Sequence, residues 1–184
     1  FETTIWQENT ADKGGAIYIS SSLGTEIVNN TFSGNESTTD GDHCALLSTP
    51  IRFINNIAVN GPSGGAIYGD VTTSTTGIFW YNDLWNNATS NYSGDLADPT
   101  GSNGNISLDP KFKAYSRDGN ASNDDFHLQS TSPCIDAGWS ALKDVDGTQS
   151  DIGAYGGTAP RLVDEDEDGC SDLVDCNDKD TSIY

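Results

Sequence analysis

The sequence predicts an all-β chain, wound as a parallel β-helix of about four coils of about 25 residues, with a closing segment and a short acidic loop behind it. Three observations predict it. A motif recurs four times, as Thr4-x-Trp6-x-x-Asn9, Asn30-x-Phe32-x-x-Asn35, Asn55-x-Ile57-x-x-Asn60 and Asn82-x-Leu84-x-x-Asn87, its last Asn advancing by 26, 25 and 27 residues. A second motif, Gly14-Gly15-Ala16-Ile17-Tyr18, returns as Gly64-Gly65-Ala66-Ile67-Tyr68, with Cys44-Ala45-Leu46-Leu47 a weaker copy between them. No window carries the three-and-four spacing of apolar residues that an amphipathic helix needs.

Each coil is read the same way. The runs Ala16–Ile19, Ile51–Ile54 and Ile78–Tyr81 are short and rich in β-branched and aromatic residues, which suits strands. Stacking coils about 4.8 Å apart pairs each strand with its copy and piles Trp6, Phe32, Ile57 and Leu84 on one another. The repeated Asn sits at a turn, where it tolerates left-handed backbone and its amide can bond the next copy. A leucine-rich horseshoe has a similar period, but its Leu-x-x-Leu-x-Leu pattern is missing.

The chain of 184 residues carries 28 acidic against 8 basic residues, a net charge of −20. Phosphate contacts need clustered Lys and Arg, so nucleic acid is excluded as a partner. No apolar run approaches the roughly 20 residues of a membrane span. With no initiating Met and no leader, the chain reads as a mature piece of something longer. Residues 164–184 hold nine acids against one base, which divides the chain into a body at 1–160 and an acidic module at 161–184.

The body resembles bacterial right-handed parallel β-helix surface proteins. The resemblance rests on the two repeated motifs and on a series that follows them: Ile106-Ser-Leu-Asp-Pro-Lys-Phe112, Asp125-Phe-His-Leu128, Ser132-Pro-Cys-Ile-Asp-Ala-Gly138 and Asp151-Ile-Gly-Ala-Tyr155. It implies a right-handed coil, a secreted or cell-surface location and no single shared activity. Some relatives of the wider fold cut or bind polysaccharides. A solenoid needs its last coil covered, and Phe112, Phe126, Leu128, Ile135 and Tyr155, joined by Trp139, are expected to form that lid. Gly156 departs from the Glu usual in the family.

The acidic module carries the strongest chemical signal. Counting from Asp164, acids fall at positions 1, 3, 5, 9 and 12 (Asp164, Asp166, Asp168, Asp172, Asp175), with Gly169 at 6. That is the spacing of a calcium loop, in which position 7, here Cys170, offers its backbone carbonyl. Asp175 replaces the usual Glu, so bidentate reach is shorter. The loop is similar to calcium-binding repeats of bacterial surface proteins and to thrombospondin type 3 repeats. Asn177, Asp178 and Asp180 outline a second site, interrupted by Lys179. A solvated acidic tail is the alternative.

Four cysteines in an exported chain favour a Cys170–Cys176 disulfide stapling the loop. Cys44 and Cys134 either pair or remain buried thiols. Catalytic motifs are lacking, and Asp40-Gly41-Asp42-His43 reads as a turn rather than a base site. Trp80, Tyr81, Trp85 and Tyr92 are candidates for stacking on sugar rings, with Trp85 turned outward by strand alternation. Of six Asn-x-Ser/Thr sequences, Asn91 and Asn120 are expected to be the exposed ones. Two functions remain: a non-enzymatic surface module, structural, adhesive or fibre-forming, with bound calcium, whose coil ends pair with copies of itself; or a carbohydrate-active lyase, hydrolase or polysaccharide-binding β-helix.

Overall fold

A computed structural model describes residues 1–22 and 24–156. The acidic module, its calcium ligands and the Cys170–Cys176 pair lie outside the described residues. What is described is a parallel β-solenoid of about three turns, fewer than the four expected, because four strands stacked on one another enclose three intervals.

The first rung holds β1 (Ile5–Gln7), β2 (Thr10–Lys13) and β3 (Ile17–Ser20). The second holds β4 (Thr25–Val28), β5 (Thr31–Ser33), β6 (Glu36–Asp40) and β7 (Cys44–Leu47). The third holds β8 (Ile51–Ile54), β9 (Ile57–Val59) and β10 (Gly65–Gly69), and the fourth β11 (Ile78–Trp80), β12 (Asp83–Trp85) and β13 (Ser90–Gly94). Corresponding strands pair in parallel into sheets β1-β5-β9-β12, β3-β7-β10-β13 and β4-β8-β11. The expected strand runs at Ile51 and Ile78 are β8 and β11.

Around the short three-residue strands the step is a constant 26 residues: Trp6 faces Phe32, Phe32 faces Ala58, and Ala58 faces Leu84. Left-handed residues bracket these strands in two columns with the same step. Thr3, Asn29, Asn55 and Tyr81 (φ 46°, 50°, 56° and 54°) precede them, and Glu8, Gly34, Asn60 and Asn86 (φ 51°, 63°, 62° and 54°) follow. Short polar side chains, Asn above all, accept this backbone at lower cost than other residues, so the sequence turns twice per rung there.

The constant step corrects the expected stack. Ile57 does not lie on Phe32; Ala58 does, and Ile57 points outward. A slip of one residue in an alternating strand reverses its faces. Inside, Trp6, Phe32, Phe53 and Phe79 continue as a column of rings with centroids 6.0–6.2 Å apart, and Tyr92 closes it edge-on. Ile17, Cys44 and Ile67 form a parallel column, aligned by the pairing of β3, β7 and β10.

The Asn ladder shifts likewise. Asn30, Asn56, Asn82 and Asn105 are buried and linked: the Oδ1 of each of the last three accepts from the backbone N–H and the side-chain amide of the Asn one rung before it, at 2.9–3.2 Å, and Asn30 Oδ1 accepts from the Thr4 N–H. Asn55, which the motif places there, faces the other way. In the second column Asn9 bonds Asn35, but the third position is Gly61. The gap is filled by His43, whose ring spans from Asn35 to Asn87, 3.2 Å at each end.

No helix was expected, yet α1 (Val71–Thr76) forms between β10 and β11. Its sequence is poor in helix formers. Tertiary contacts hold it: Asp70 accepts from the Thr73 N–H as an N-cap, and the buried Thr73 hydroxyl donates to the Leu46 carbonyl.

The closing segment is not an end lid. Residues 107–156, with the antiparallel pair β14 (Phe112–Ala114) and β15 (Asp125–Leu128), run along the outer face of β1-β5-β9-β12. They touch every rung: Asp124 accepts from Gln7, Arg117 pairs with Glu36, Ile152 packs on Ile57, and Trp139 lies edge-on to Trp80. The apolar part of that outer face is Ile57 and Val59, which the segment covers with Cys134, Ile152, Phe112 and Leu128. Phe112 and Leu128 pack beneath Val59, Phe126 lies between Phe112 and Tyr115, and Tyr155 stacks on His127 at the surface. The last rung is covered by residues 95–106, where Leu96 joins the core and Ile106 pairs with Asp83.

Candidate functional site

Three polar constellations emerge, and two of them are structural. Asp42 is fully buried and its carboxylate accepts from the backbone N–H groups of Ser37, Ser63 and Gly64 and from both serine hydroxyls. Burial opposes its ionisation, but these donors outweigh burial and hold the carboxyl below the usual range. Beside it, burial pushes His43 down to about 4, so the ring sits neutral between two amides. The motif at Asp40 is therefore a tied turn.

Cys134 and Asp83 make the second. The thiol lies 3.1 Å from Asp83 Oδ2, under the closing segment. Burial raises Asp83 to about 6, against the Leu108 N–H that donates to it, and raises the Cys134 thiol as well. Cys44 stands inside the solenoid and Cys134 outside its wall, both free, so the pairing considered for them does not form.

These groups predict opposing pH dependences. His43 has its folded pKa depressed, so the native state holds fewer protons between pH 6.5 and about 4, and stability falls as pH falls through that window. Asp83 has its folded pKa raised, so the native state holds more protons between about 6 and 3.8, and stability rises on acidification. Each is worth about 3 kcal/mol, and they largely cancel. In chelator, Asp83→Asn is expected to lose more melting temperature from pH 7 to pH 4.5 than His43→Gln does, since Asp144, also raised to about 6 by burial, adds the same acid-favouring slope to both. Equal slopes in the two variants would contradict this assignment.

The third constellation is open to solvent. A cleft of about 450 Å³ lies where the closing segment meets the Asn corner of the third and fourth rungs, lined by Asn60, Trp85, Asn86, Asp109, Lys111 and Gln129 among others. Trp85 faces out from β12, as strand alternation anticipates, and is partly covered by the closing segment. Asn86 donates to Asn60 Oδ1 at 2.8 Å, and Gln129 donates to the Phe112 carbonyl at 2.8 Å. Asp109 Oδ1 accepts from the Lys111 N–H, and Lys111 Nζ donates to the Thr131 carbonyl. Among the described residues, Asn60 Nδ2, Asn86 Oδ1, Asp109 Oδ2 and Gln129 Oε1 have no protein partner.

Of the four aromatic candidates only Trp85 lines this cleft. Trp80 is taken up by Trp139 and Tyr81 packs at the turn against Gly104. Tyr92 lies in the core at 6% exposure, because its neighbours in β13 follow the inward register of Ile67. The cleft's polar residues escape a sequence reading, since three of them come from the closing segment, 24 to 44 positions away from Trp85. A separate acidic group, Asp136, Asp144 and Asp151, brings carboxylate oxygens within 4.8 Å of one another and can hold a hard cation. It offers three side-chain ligands, fewer than the roughly six to eight oxygens calcium takes. Asn120 is exposed as expected, but Asn91 is part-buried, accepting from Asn87 and donating to Ser107, and Asn29, Asn35 and Asn105 are locked in the interior amide bonds.

A family model described as the Chlamydia polymorphic membrane protein repeat matches residues 50–70, the stretch that forms β8, β9 and β10. No curated protein and no solved structure matches the chain. The matched repeat holds the three strands of the third rung, with the buried Ile51, Phe53 and Ile67 and the paired glycines Gly64 and Gly65. No helix among the described residues is long and apolar enough to cross a membrane.

Proposed function

We propose that the chain is a surface-exposed β-solenoid module with an adhesive, non-enzymatic role, and that its acidic module binds calcium. The observation that carries the reading is the coincidence of a polymorphic membrane protein repeat with the three strands of one solenoid rung. Among the described residues, the buried titratable groups support it too. Asp42, His43 and Asp83 are engaged in interior bonds rather than turned toward a cleft. Latex beads carrying the chain are expected to adhere to a cell layer above beads carrying an unrelated acidic protein. Equal adhesion, with turnover of a polysaccharide, would favour the carbohydrate-active alternative.

The calcium reading rests on the Asp164, Asp166, Asp168, Cys170, Asp172 and Asp175 spacing. Without a cation, seven acids within twelve residues repel one another. Calorimetry with calcium is expected to show a binding heat that Asp166→Ala reduces by at least about tenfold in affinity. A heat unchanged by that substitution would place the ion elsewhere, with Asp136, Asp144 and Asp151 next to be tested.

A further inference from the structure

We propose that the cleft around Trp85 binds a neutral oligosaccharide. This deepens the adhesive reading and rests on it for the biological setting, while the chemistry stands on the cleft alone. A pyranose has an apolar C–H face and a rim of hydroxyls that both donate and accept. The cleft matches that pair of demands. Trp85 lines the cleft and supplies partly exposed indole surface. Around it stand one amide donor, Asn60 Nδ2, and three acceptors, Asn86 Oδ1, Gln129 Oε1 and Asp109 Oδ2, each without a protein partner among the described residues.

These groups are held in place before any ligand arrives. The Asn60–Asn86 bond links two left-handed residues one rung apart, so both amides are fixed by the solenoid's own step. Gln129 is anchored through the Phe112 carbonyl, and Asp109 through the Lys111 N–H. Preorganisation of this kind reduces the ordering cost of binding. The volume of about 450 Å³ falls in the usual range of ligand clefts, about 300–1,000 Å³.

The alternatives fit less well. An added peptide strand needs a row of unpaired backbone groups, but β12 is flanked by β9 and by Ile106, and β14 is paired with β15. An acidic saccharide meets Asp109 and a chain of net charge −20. Lys111, the basic residue of the cleft, already donates to Thr131.

The test is calorimetry of the full 184-residue chain with neutral tetrasaccharides of β-1,4-linked glucose, mannose and N-acetylglucosamine, and tetragalacturonate as the anionic control. Binding of at least one neutral sugar is expected, weakened about tenfold or more by Trp85→Ala and about fivefold by Asn86→Gly or Gln129→Ala. The last two variants leave the packing beneath the indole intact, so they decide the matter if Trp85→Ala misfolds. Absence of binding to every neutral sugar, preference for the galacturonate, or binding that survives Asn86→Gly and Gln129→Ala would overturn the inference. Bead adhesion without sugar binding would sink this inference and spare the adhesive function; sugar binding without adhesion would do the reverse.

Discussion

Replacing Asn56 by alanine is expected to destabilise the chain by about 4 kcal/mol, lowering its melting temperature by about 10 °C. Asn56 is fully buried, and its amide does five things at once. Its Oδ1 accepts from the N–H and the side chain of Asn30, and its Nδ2 donates to the carbonyls of Ile27 and Ile54 and to Asn82. A methyl group satisfies none of these, and each buried orphan costs about 1–3 kcal/mol. Asn60→Gly is the matched control. It keeps the left-handed backbone and removes a side chain that stands outside the interior ladder, so a loss below about 1 kcal/mol is expected. Differential scanning calorimetry of the two variants decides between registers. Comparable losses at both positions would contradict the one described.

The second large effect concerns the closing segment. Asn55→Gly preserves left-handed backbone but removes the acceptor for the Trp139 N–H, at 2.7 Å, and the donor to the Ser150 hydroxyl. Asn29, one rung below, is tied to the same segment through the carbonyls of Asp151, Gly153 and Gly156. We expect a loss of roughly 2–3 kcal/mol, concentrated in residues 134–156. Amide exchange there should quicken about 30- to 150-fold, with the amides of β5 and β9 little changed. Uniform acceleration through the stack would show that the segment and the solenoid unfold as one unit.

The solenoid was legible because its physics is repetitive. Trp6 and Phe32 recur at the true period, and the glycine pairs and Asn corners mark turns. What the sequence obscured was a one-residue slip. The third rung reads Asn55-Asn56-Ile57-Ala58-Val59-Asn60-Gly61, where the motif matches from Asn55, while the paired register puts Ala58 and Gly61 in place of the large apolar residue and the last Asn. Only pairing settles which face is inward, and it selects Asn56 and Ala58 because the bulk of Phe53 already fills the space beside Phe32. His43 escaped for a related reason. It replaces a missing ladder side chain at Gly61 from the turn that precedes β7, a substitution visible only in three dimensions.

The closing segment was recognised but misplaced. Its aromatic residues signalled burial, not the surface that buries them. That surface is the outward column of Ile57 and Val59, which a strictly inward-apolar, outward-polar reading of β9 leaves out. The candidate cleft was half legible: alternation turns Trp85 outward, whereas Asp109, Lys111 and Gln129 reach it through the path of the segment. Tyr92 went the other way, because β13 aligns it with the inward Ile67.

The central claim is that along β1, β5, β9 and β12 residues 26 positions apart lie directly above one another. Nuclear Overhauser contacts from the side-chain amide protons of Asn56 test it most directly. The account predicts contacts to the amide protons of Asn30 and Asn82, with Asn55 instead close to Trp139 and Ser150. Contacts placing Asn55 in the ladder, or none between residues one rung apart, would contradict it.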